Sequence, residues 1–481
     1  MTDQFFIPTP VKERDLETQV AIAGTGGVHP PYLLDDAVIE HFVHNFDPKR
    51  AKKTFAQVRR EKLGTELLFQ TRPEYTIEDC MADAAKQALE RAGMTMSDIA
   101  EIHISTVSPT DRISRSRSAV SEKLGVNNIP IMELSHGCAG SLYALESGRR
   151  ASLLKNAPIL VIAGDDVRRD VINLQDWAQS GIFGSGAGSA ILVPVKNGKG
   201  LHPVNFWTDT TITPYARMDP MTGKFAMDGK KLGELAPATY HAFLDYLLQA
   251  YNLPKDKVYV IPHQLNGHLI EEFRKQAELR EDQVLNIVNR FGNTSNGSVL
   301  LALNHAITHR LKIGNYGVIF GVGAGFDKAC SIYEPDRELI LPRVIKILIA
   351  DDEQGVRESK VMGYQTFLEG HEKLPQNVSF EYHTATSGEE AFQMALEIHP
   401  DILDFDQRME GMNGSTAATM IHEALGPIPT VINSGFSDAA DMRAFGELKL
   451  TKHREYILKQ DMNIMDYANF LVEFMYKSNI L

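Results

Sequence analysis

Short apolar runs alternate with amphipathic stretches along most of the chain. Gln19–Gly27, Glu101–Ser108 and Ala157–Gly164 are apolar runs of the length and composition typical of buried strands. Between them, patterns such as Thr76–Gly93 place apolar residues at helical spacing. Strands that alternate with helices predict a parallel sheet covered by helices, so we expect an α/β protein.

One apolar run leads directly into a cysteine. Residues Ile131–Leu145 read IMELSHGCAGSLYAL, a strand pattern followed by Ser-His-Gly, Cys138 and a helical pattern. Gly137 allows a tight turn, and the positive end of a helix dipole favours a thiolate at Cys138. A small buried core residue is the competing interpretation, because free cysteine is often buried.

Two later strand-to-helix turns carry hydrogen-bonding side chains. Val258–Ile270 reads VYVIPHQLNGHLI and contains His263, and Phe291–Leu303 reads FGNTSNGSVLLAL and contains Asn293. Taken with the cysteine turn, they predict one nucleophile and two hydrogen-bond donors on three separate turns.

These motifs resemble those of the β-ketoacyl-[acyl-carrier-protein] synthase III family of the thiolase superfamily. The resemblance covers about residues 17–333 and includes the cysteine turn, His-Gln-x-Asn, Gly-Asn-Thr-Ser and the GVGAG segment Gly321–Gly325. It implies two βαβ-rich halves in a five-layered αβαβα thiolase-like fold, with the active site between the halves. It also implies a homodimer.

The resemblance implies a decarboxylative Claisen condensation without a redox cofactor. Cys138 would accept an acyl group from acyl-CoA or an acylated acyl carrier protein (ACP). His263 and Asn293 would stabilise the carbanion formed from malonyl-ACP or malonyl-CoA, and the product would be a 3-oxoacyl thioester. The acyl oxyanion would bind the backbone N–H of Cys138 and one from Val322 or Gly323. The acyl group itself stays open.

Some positions depart from the family pattern and leave alternatives open. Ser185 stands in GSGAG where the family typically has Gly-Asp-Gly-Ala-Gly, and His136 lies two residues before the nucleophile. A non-decarboxylative acyltransferase or condensing enzyme of specialised metabolism is one alternative. A signalling scaffold with an acyl-binding synthase domain is another.

The C-terminal part has polar residues at the ends of four predicted strands. VIKILIADD ends in Asp351 and Asp352, PDILDFD in Asp406, PTVINS in Ser434 and YILK in Lys459. The carboxyl ends of the strands of an open α/β sheet meet at one edge. Carboxylates there predict a Mg²⁺ and phosphate site.

This part resembles the response-regulator receiver domain over about residues 344–481, which implies a flavodoxin-like (βα)5 fold. By that resemblance the side chains of Asp351, Asp352 and Asp406 bind Mg²⁺ together with the Arg408 carbonyl, and Asp406 accepts a phosphoryl group from a cognate histidine kinase or a small phosphodonor. Ser434 and Lys459 would hold the phosphoryl oxygens, and Tyr456 would be the switch aromatic residue. Two departures weaken the expectation of efficient phosphorylation: Gln460 replaces the usual proline, and Asp404 places a charge in an apolar strand.

Composition and charge support this organisation. Residues 345–481 contain 11 Lys and Arg against 22 Asp and Glu, most of the net charge of −13, which argues against nucleic acid as a direct partner. We expect a leader at 1–18, a synthase-like domain at 19–333, a linker at 334–343 and a receiver domain at 344–481. There is no apolar run long enough to span a membrane and no signal peptide, and three scattered cysteines fit no disulfide framework. We therefore expect a reduced, cytoplasmic protein.

Overall fold

A computed structural model describes residues 18–196, 199–335, 343–368, 371, 374, 378–426, 428–434, 454–458 and 464–478. The chain forms two compact units, Met1–Leu341 and Pro342–Leu481. Their division falls within the segment predicted as a linker. Most of that segment, and nearly all of the predicted leader, lie outside the described residues. Within the described ranges, no helix is long and apolar enough to cross a bilayer.

The strands of the N-terminal unit are β1 (Thr18–Val28), β2 (Tyr32–Leu33), β3 (Phe69–Gln70), β4 (Glu101–Ser105), β5 (Ile131–Leu134), β6 (Ile159–Asp165), β7 (Gly186–Lys196), β8 (Asn205–Thr208), β9 (Ala216–Met218), β10 (Phe225–Met227), β11 (Val258–Pro262), β12 (Tyr316–Val322) and β13 (Asp327–Tyr333). Its helices are α1 (Asp36–Phe42), α2 (Pro48–Ala51), α3 (Phe55–Leu63), α4 (Ile77–Ala92), α5 (Arg115–Lys123), α6 (Gly140–Lys155), α7 (Trp177–Ile182), α8 (Gly229–Ala250), α9 (Gly267–Gln276), α10 (Val288–Phe291) and α11 (Gly297–His309).

Two sheets organise this unit. The first has the strand order β1-β7-β6-β4-β5, and the second has the order β11-β12-β13-β8. Helices α6 and α11 lie between them, because apolar residues of both helices and both sheets share one buried cluster. Helix α4 covers the outer face of the first sheet, and α8 and α9 cover that of the second. The layers therefore follow the predicted αβαβα order.

Helix α4 shows how sequence determines a local element. The Thr76 amide donates to Asp79 Oδ2 at 2.7 Å, which satisfies one of the unpaired donors at the start of the helix. Gly93 ends the helix at φ +62°, a left-handed conformation that glycine adopts without strain. The buried face includes Cys80, and Cys330 is likewise buried in β13, as expected for core cysteines.

The C-terminal unit contains one five-stranded sheet. Its strands are β14 (Arg343–Ala350), β15 (Val378–Ala385), β16 (Ile402–Asp406), β17 (Thr430–Ser434) and β18 (Arg454–Leu458). Its described helices are α12 (Gln354–Phe367), α13 (Gly388–Ile398), α14 (Gly414–Leu425) and α15 (Ile464–Lys477). The strand order β15-β14-β16-β17-β18, parallel throughout, matches that of flavodoxin-like sheets. Helices α12 and α15 pack on one face, and α13 and α14 on the other.

The charge that departs from the receiver pattern is buried in this core. Asp404 has no exposed surface, and its carboxylate accepts hydrogen bonds from Lys360 Nζ at 2.8 Å and Tyr467 OH at 3.0 Å. Tyr364 OH and Asn433 Nδ2 donate to the same carboxylate. A buried charge is tolerated when it is paired and hydrogen-bonded, and these partners come from both helices on that face and from β17.

Candidate active site

The cysteine turn joins β5 to α6. Gly137 has φ +52°, and a Cβ there would lie 3.0 Å from the amide nitrogen of Ala324. Glycine is therefore required both for the turn and for the close approach of the GVGAG segment. Cys138 follows, two residues before the first residue of α6.

The thiol of Cys138 is protonated in the resting site. Cys138 keeps some exposed surface, yet the surrounding protein desolvates the thiol and raises its pKa to about 11. Its Sγ lies 3.4 Å from Ser295 Oγ, a contact that lowers the pKa, whereas the charge of Asp165 raises it. Desolvation therefore opposes the thiolate that the helix end was expected to stabilise.

His263 is a neutral, buried hydrogen-bond donor. It directly follows β11, and its amide donates to the Phe320 carbonyl at 2.8 Å. The ring Nε2 lies 3.1 Å from Asn293 Oδ1, and because an amide oxygen can only accept, we assign the proton to Nε2. Burial lowers the pKa of His263 to about 4, against the opposing effects of Asn293 and the Val322 backbone.

Asn293 is held by the backbone of the segment that follows α7. Its amide donates to the Ile182 carbonyl at 2.8 Å, and its own carbonyl accepts from Gly184 at 3.1 Å. Its Oδ1 also accepts from the Ser295 amide at 2.9 Å, whereas its Nδ2 lies 3.5 Å from the Leu265 carbonyl. Of the two predicted donors, His263 Nε2 and Asn293 Nδ2, the Asn293 group therefore makes the weaker hydrogen bond. Catalytic hydrogen bonds commonly shorten only when substrate is bound.

The glycine-rich end of β12 lies against the cysteine turn. A Cβ on Gly323 would be 2.8 Å from the Ala139 amide nitrogen and 3.0 Å from that of Cys138. The Gly323 N–H itself donates to the Asp327 carbonyl at 2.8 Å. An acyl oxyanion would have to compete with the Asp327 carbonyl for the Gly323 amide, so the role of Gly323 as an oxyanion donor stays a prediction. The Cys138 and Val322 amides stay predictions for that role.

The two departures from the family pattern have structural explanations. Ser185 Oγ donates to Asp166 Oδ1 at 2.8 Å, so the end of β6 supplies an acid where the glycine-rich segment lacks one. The His136 ring stacks on Tyr143 with centroids 4.1 Å apart, and its Nδ1 lies 3.6 Å from Asp327 Oδ2. His136 thus packs beside the cysteine turn.

Sequence reasoning missed two buried polar residues next to the nucleophile, Ser295 and Asp165. Ser295 belongs to the quoted Gly-Asn-Thr-Ser motif, but the motif alone gave no reason to expect a contact with sulfur. Asp165 ends β6 in the sequence Gly-Asp-Asp. Two carboxylates at the carboxyl end of an apolar strand were the available signal, the same one that marked Asp351 and Asp352.

The C-terminal unit places two carboxylates at neighbouring strand ends. The paired residues of β14 and β16 end at Ala350 and Phe405, and Asp351 and Asp406 come next in each strand. Both side chains are buried; Asp351 Oδ1 accepts from the Glu353 amide at 3.0 Å. Asp406 Oδ2 accepts from the Arg408 amide at 2.8 Å.

For the other predicted receiver residues, the structure gives only part of the side-chain arrangement. Asp352 is exposed, and among the described residues no three His, Cys, Asp or Glu side chains are grouped so as to hold a metal ion. Ser434 ends β17, whose Asn433 pairs with Asp406, and Tyr456 lies in β18; the side chains of Ser434 and Tyr456 are not described. Lys459 and Gln460 lie outside the described residues.

The N-terminal unit is similar to known condensing enzymes. Residues 132–210 match the model of 3-oxoacyl-[acyl-carrier-protein] synthase III, and residues 248–334 match that of its C-terminal part. The beta-ketoacyl-[acyl-carrier-protein] synthase III of Listeria innocua is 28% identical over 292 residues, which cover 60% of this chain and 93% of the relative. That of Staphylococcus haemolyticus is 25% identical over 308 residues, which cover 64% and 96%.

Solved structures agree with this placement. The priming beta-ketosynthase from the R1128 polyketide pathway is 26% identical with a TM-score of 0.59, over 66% of this chain and 97% of that one. The 3-oxoacyl-[acyl-carrier-protein] synthase III of Aquifex aeolicus has the same fold, with a TM-score of 0.60 at 22% identity, over 66% and 100%. The N-terminal unit therefore has a thiolase-like α/β fold. More particularly, it is similar to the beta-ketoacyl-[acyl-carrier-protein] synthase III enzymes, a family of condensing acyltransferases.

Proposed function

We propose that the N-terminal unit catalyses decarboxylative condensation of an acyl thioester with a malonyl thioester. The observation that carries the proposal is that the Cys138 thiol, the His263 imidazole and the Asn293 amide lie together. Ser295 links the thiol to Asn293, and Asn293 Oδ1 accepts from His263. A neutral His263 can donate to a developing oxyanion at neutral pH, which is the role the carbanion step requires.

In the first half-reaction the sulfur of Cys138 attacks the acyl carbonyl of a CoA or ACP thioester. The bond from the carbonyl carbon to the carrier sulfur breaks, the acyl group is transferred to Cys138, and the thiol proton ends on the released carrier thiol. Because the resting thiol has a raised pKa, this proton leaves during the attack instead of beforehand.

In the second half-reaction a malonyl thioester loses carbon dioxide, and the electron pair of the broken C–C bond forms an enolate. Hydrogen bonds from His263 and Asn293 stabilise the enolate oxygen. The carbanion carbon then attacks the acyl carbonyl on Cys138, the C–S bond breaks, and the sulfur takes a proton from solvent. The product is a 3-oxoacyl thioester.

An anionic partner, either an acidic acyl carrier protein or the phosphate of a pantetheine thioester, fits the charge around α2 and α3. Lys49, Arg50, Lys53, Arg60 and Lys62 are all exposed there. Exposed cations on one surface attract an acidic partner and accelerate its association at low salt. The acyl carrier protein and the phosphates of a CoA thioester are both anionic, so both fit this surface.

The test separates the two half-reactions. Intact-protein mass spectrometry with a panel of acyl thioesters should show one acyl group on the protein and none on Cys138→Ala. His263→Ala and Asn293→Ala should still be acylated, yet lose malonyl decarboxylation by about 10²–10³-fold, as expected when one oxyanion donor is removed. Acylation without any wild-type decarboxylation would support a non-decarboxylative acyltransferase, and no acyl adduct would support a binding scaffold.

We further propose that the C-terminal unit is a phospho-acceptor receiver domain that regulates the synthase unit. The strand order and the adjacent carboxylates of Asp351 and Asp406 support it. Mg²⁺ binds through one or two carboxylates and keeps several waters, so this pair, with the Arg408 carbonyl, fits Mg²⁺ without Asp352. Bound there, Mg²⁺ would neutralise phosphoryl charge, and Asp406 would accept the phosphoryl group.

Acetyl phosphate with Mg²⁺ should add one phosphoryl mass to the wild type and none to Asp406→Asn. Phosphorylation adds strong negative charge at the sheet edge, so we expect the condensation rate or the oligomeric state to change as well. A mass addition that changes neither would assign the receiver to an outside partner. No addition would mean a receiver that no longer switches.

A further inference from the structure

A fully buried carboxylate lies at the end of β6, close to the cysteine turn. Asp165 has no exposed surface. Its Oδ1 accepts hydrogen bonds from Thr106 Oγ1 and the Val107 amide at 2.8 Å each, and from the amide and hydroxyl of Ser108 at 3.1 and 2.8 Å. This oxygen therefore joins the segment that follows β4 to the end of β6.

The other oxygen of Asp165 holds the turn that carries Asn293. Asp165 Oδ2 accepts from the Asn296 amide at 3.0 Å and from Asn296 Nδ2 at 2.7 Å. Asn296 Oδ1 in turn accepts from Ser105 Oγ at 2.7 Å. One carboxylate thus connects two strand ends of the first sheet to the Asn293–Asn296 turn.

That turn needs an external restraint. Ser295 has φ +51°, in the left-handed region that is unfavourable for a non-glycine residue and persists only where surrounding contacts enforce it. In this conformation the Ser295 amide reaches Asn293 Oδ1, and its hydroxyl reaches the sulfur of Cys138. Both contacts depend on the turn being held in place.

We propose that Asp165 is a positioning residue for the carbanion step, which holds the Asn293–Asn296 turn so that Asn293 and Ser295 keep their places beside Cys138. The inference rests on the proposed condensation. Asp165 acts through Asn296 and does not touch substrate. Acylation uses the sulfur of Cys138, whose own turn is fixed by Gly137 and the GVGAG segment. Loss of Asp165 should therefore impair decarboxylation far more than acylation.

Asp165→Asn is the first test. The amide keeps the shape of the carboxylate, but its NH₂ group must face either the amides of Val107 and Ser108 or those of Asn296, so a donor opposes a donor. Misplacement of a catalytic group by about 1 Å can cost about 10²-fold, and we expect malonyl decarboxylation to fall by about 10–100-fold. The yield of acylated Cys138 should change much less.

Glu78→Gln is the matched control. Glu78 is also a buried carboxylate, and it accepts from the Thr110 amide and Ser116 Oγ at 2.8 Å each, and from Thr110 Oγ1 at 2.6 Å. It restrains the same post-β4 segment without a contact to Asn296. A glutamine amide can donate to the Thr110 hydroxyl, so both half-reactions should stay near wild type.

Asn296→Ala tests the same connection from its other side, and it remains informative if Asp165→Asn does not fold. It removes Nδ2 but leaves the backbone amide. Malonyl decarboxylation should therefore again fall more than acylation of Cys138, but by a smaller factor than in Asp165→Asn. Because both variants act through one connection, the double variant should be no worse than Asp165→Asn. Equal losses in both half-reactions, or a decarboxylation rate equal to that of Glu78→Gln, would overturn the proposal. A wild type that is acylated but never decarboxylates malonyl would instead refute the proposed function.

Discussion

At the scale of single residues, burial sets the protonation states of the site. The thiol of Cys138 has a pKa of about 11 and His263 one of about 4, so both are neutral at pH 7. Because the thiolate fraction rises tenfold per pH unit below the pKa, alkylation of Cys138 by iodoacetamide should accelerate about tenfold per unit from about pH 7 to 10. Ser295→Ala should move this profile to higher pH, since the contact with Ser295 lowers the pKa. Rates measured by mass spectrometry that level off below pH 8 would mean a resting thiolate. Cys138→Ala is the control for Cys80 and Cys330, which are buried.

At the scale of elements, α4 lies directly on β1 because the strand has glycines there. Strand β1 continues through Gly24–Gly27, where it pairs with β7. A Cβ on Gly26 would lie 1.9 Å from the Ala84 carbonyl of α4. Gly26→Ala should therefore force strand and helix apart and lower the free energy of unfolding by about 1–3 kcal/mol in urea titrations. Gly229→Ala at the start of α8, where a Cβ would meet nothing within 4 Å, should be close to neutral. If the two variants proved equally stable, the close packing of α4 on β1 would be wrong.

At the scale of the molecule, we expect a homodimer formed by the synthase units. Strand β5 is at the edge of the first sheet and exposes Met132, which is 43% accessible. An open edge strand with an apolar side chain favours pairing with another chain. Met132→Lys should shift a dimer toward monomer in light scattering at micromolar concentration, whereas Ile113→Lys, at an exposed residue outside β5, should not. A wild-type monomer under these conditions would contradict the prediction.

The sequence was most informative where a residue type is tied to one local geometry. Gly137 before Cys138 predicted the strand-to-helix turn, and the paired carboxylates predicted the sheet edge at Asp351 and Asp406. It could not give the pKa of Cys138, which depends on desolvation by segments far away in the chain. Nor could it show that the Gly323 amide is used by Asp327, because that contact depends on how β13 begins. The sequence showed Asp404 as a charge in an apolar strand. Its hydrogen-bond partners could not be predicted, because they depend on how α12 and α15 pack against the sheet.

The hydrogen bond between His263 and Asn293 affects how strongly the site binds a substrate oxygen before and during the reaction. In the free site the Nε2–H of His263 donates to Asn293 Oδ1, so a substrate oxygen must displace this hydrogen bond to accept from His263. A neutral thioester carbonyl competes weakly, whereas an enolate oxygen accepts charge-assisted hydrogen bonds about twice as strong. In the proposed condensation, the pair would therefore discriminate between a malonyl thioester before it reacts and the same molecule as it loses carbon dioxide. An enzyme arranged in this way would bind the malonyl thioester weakly and form its strongest hydrogen bonds only as the C–C bond to the carboxylate breaks.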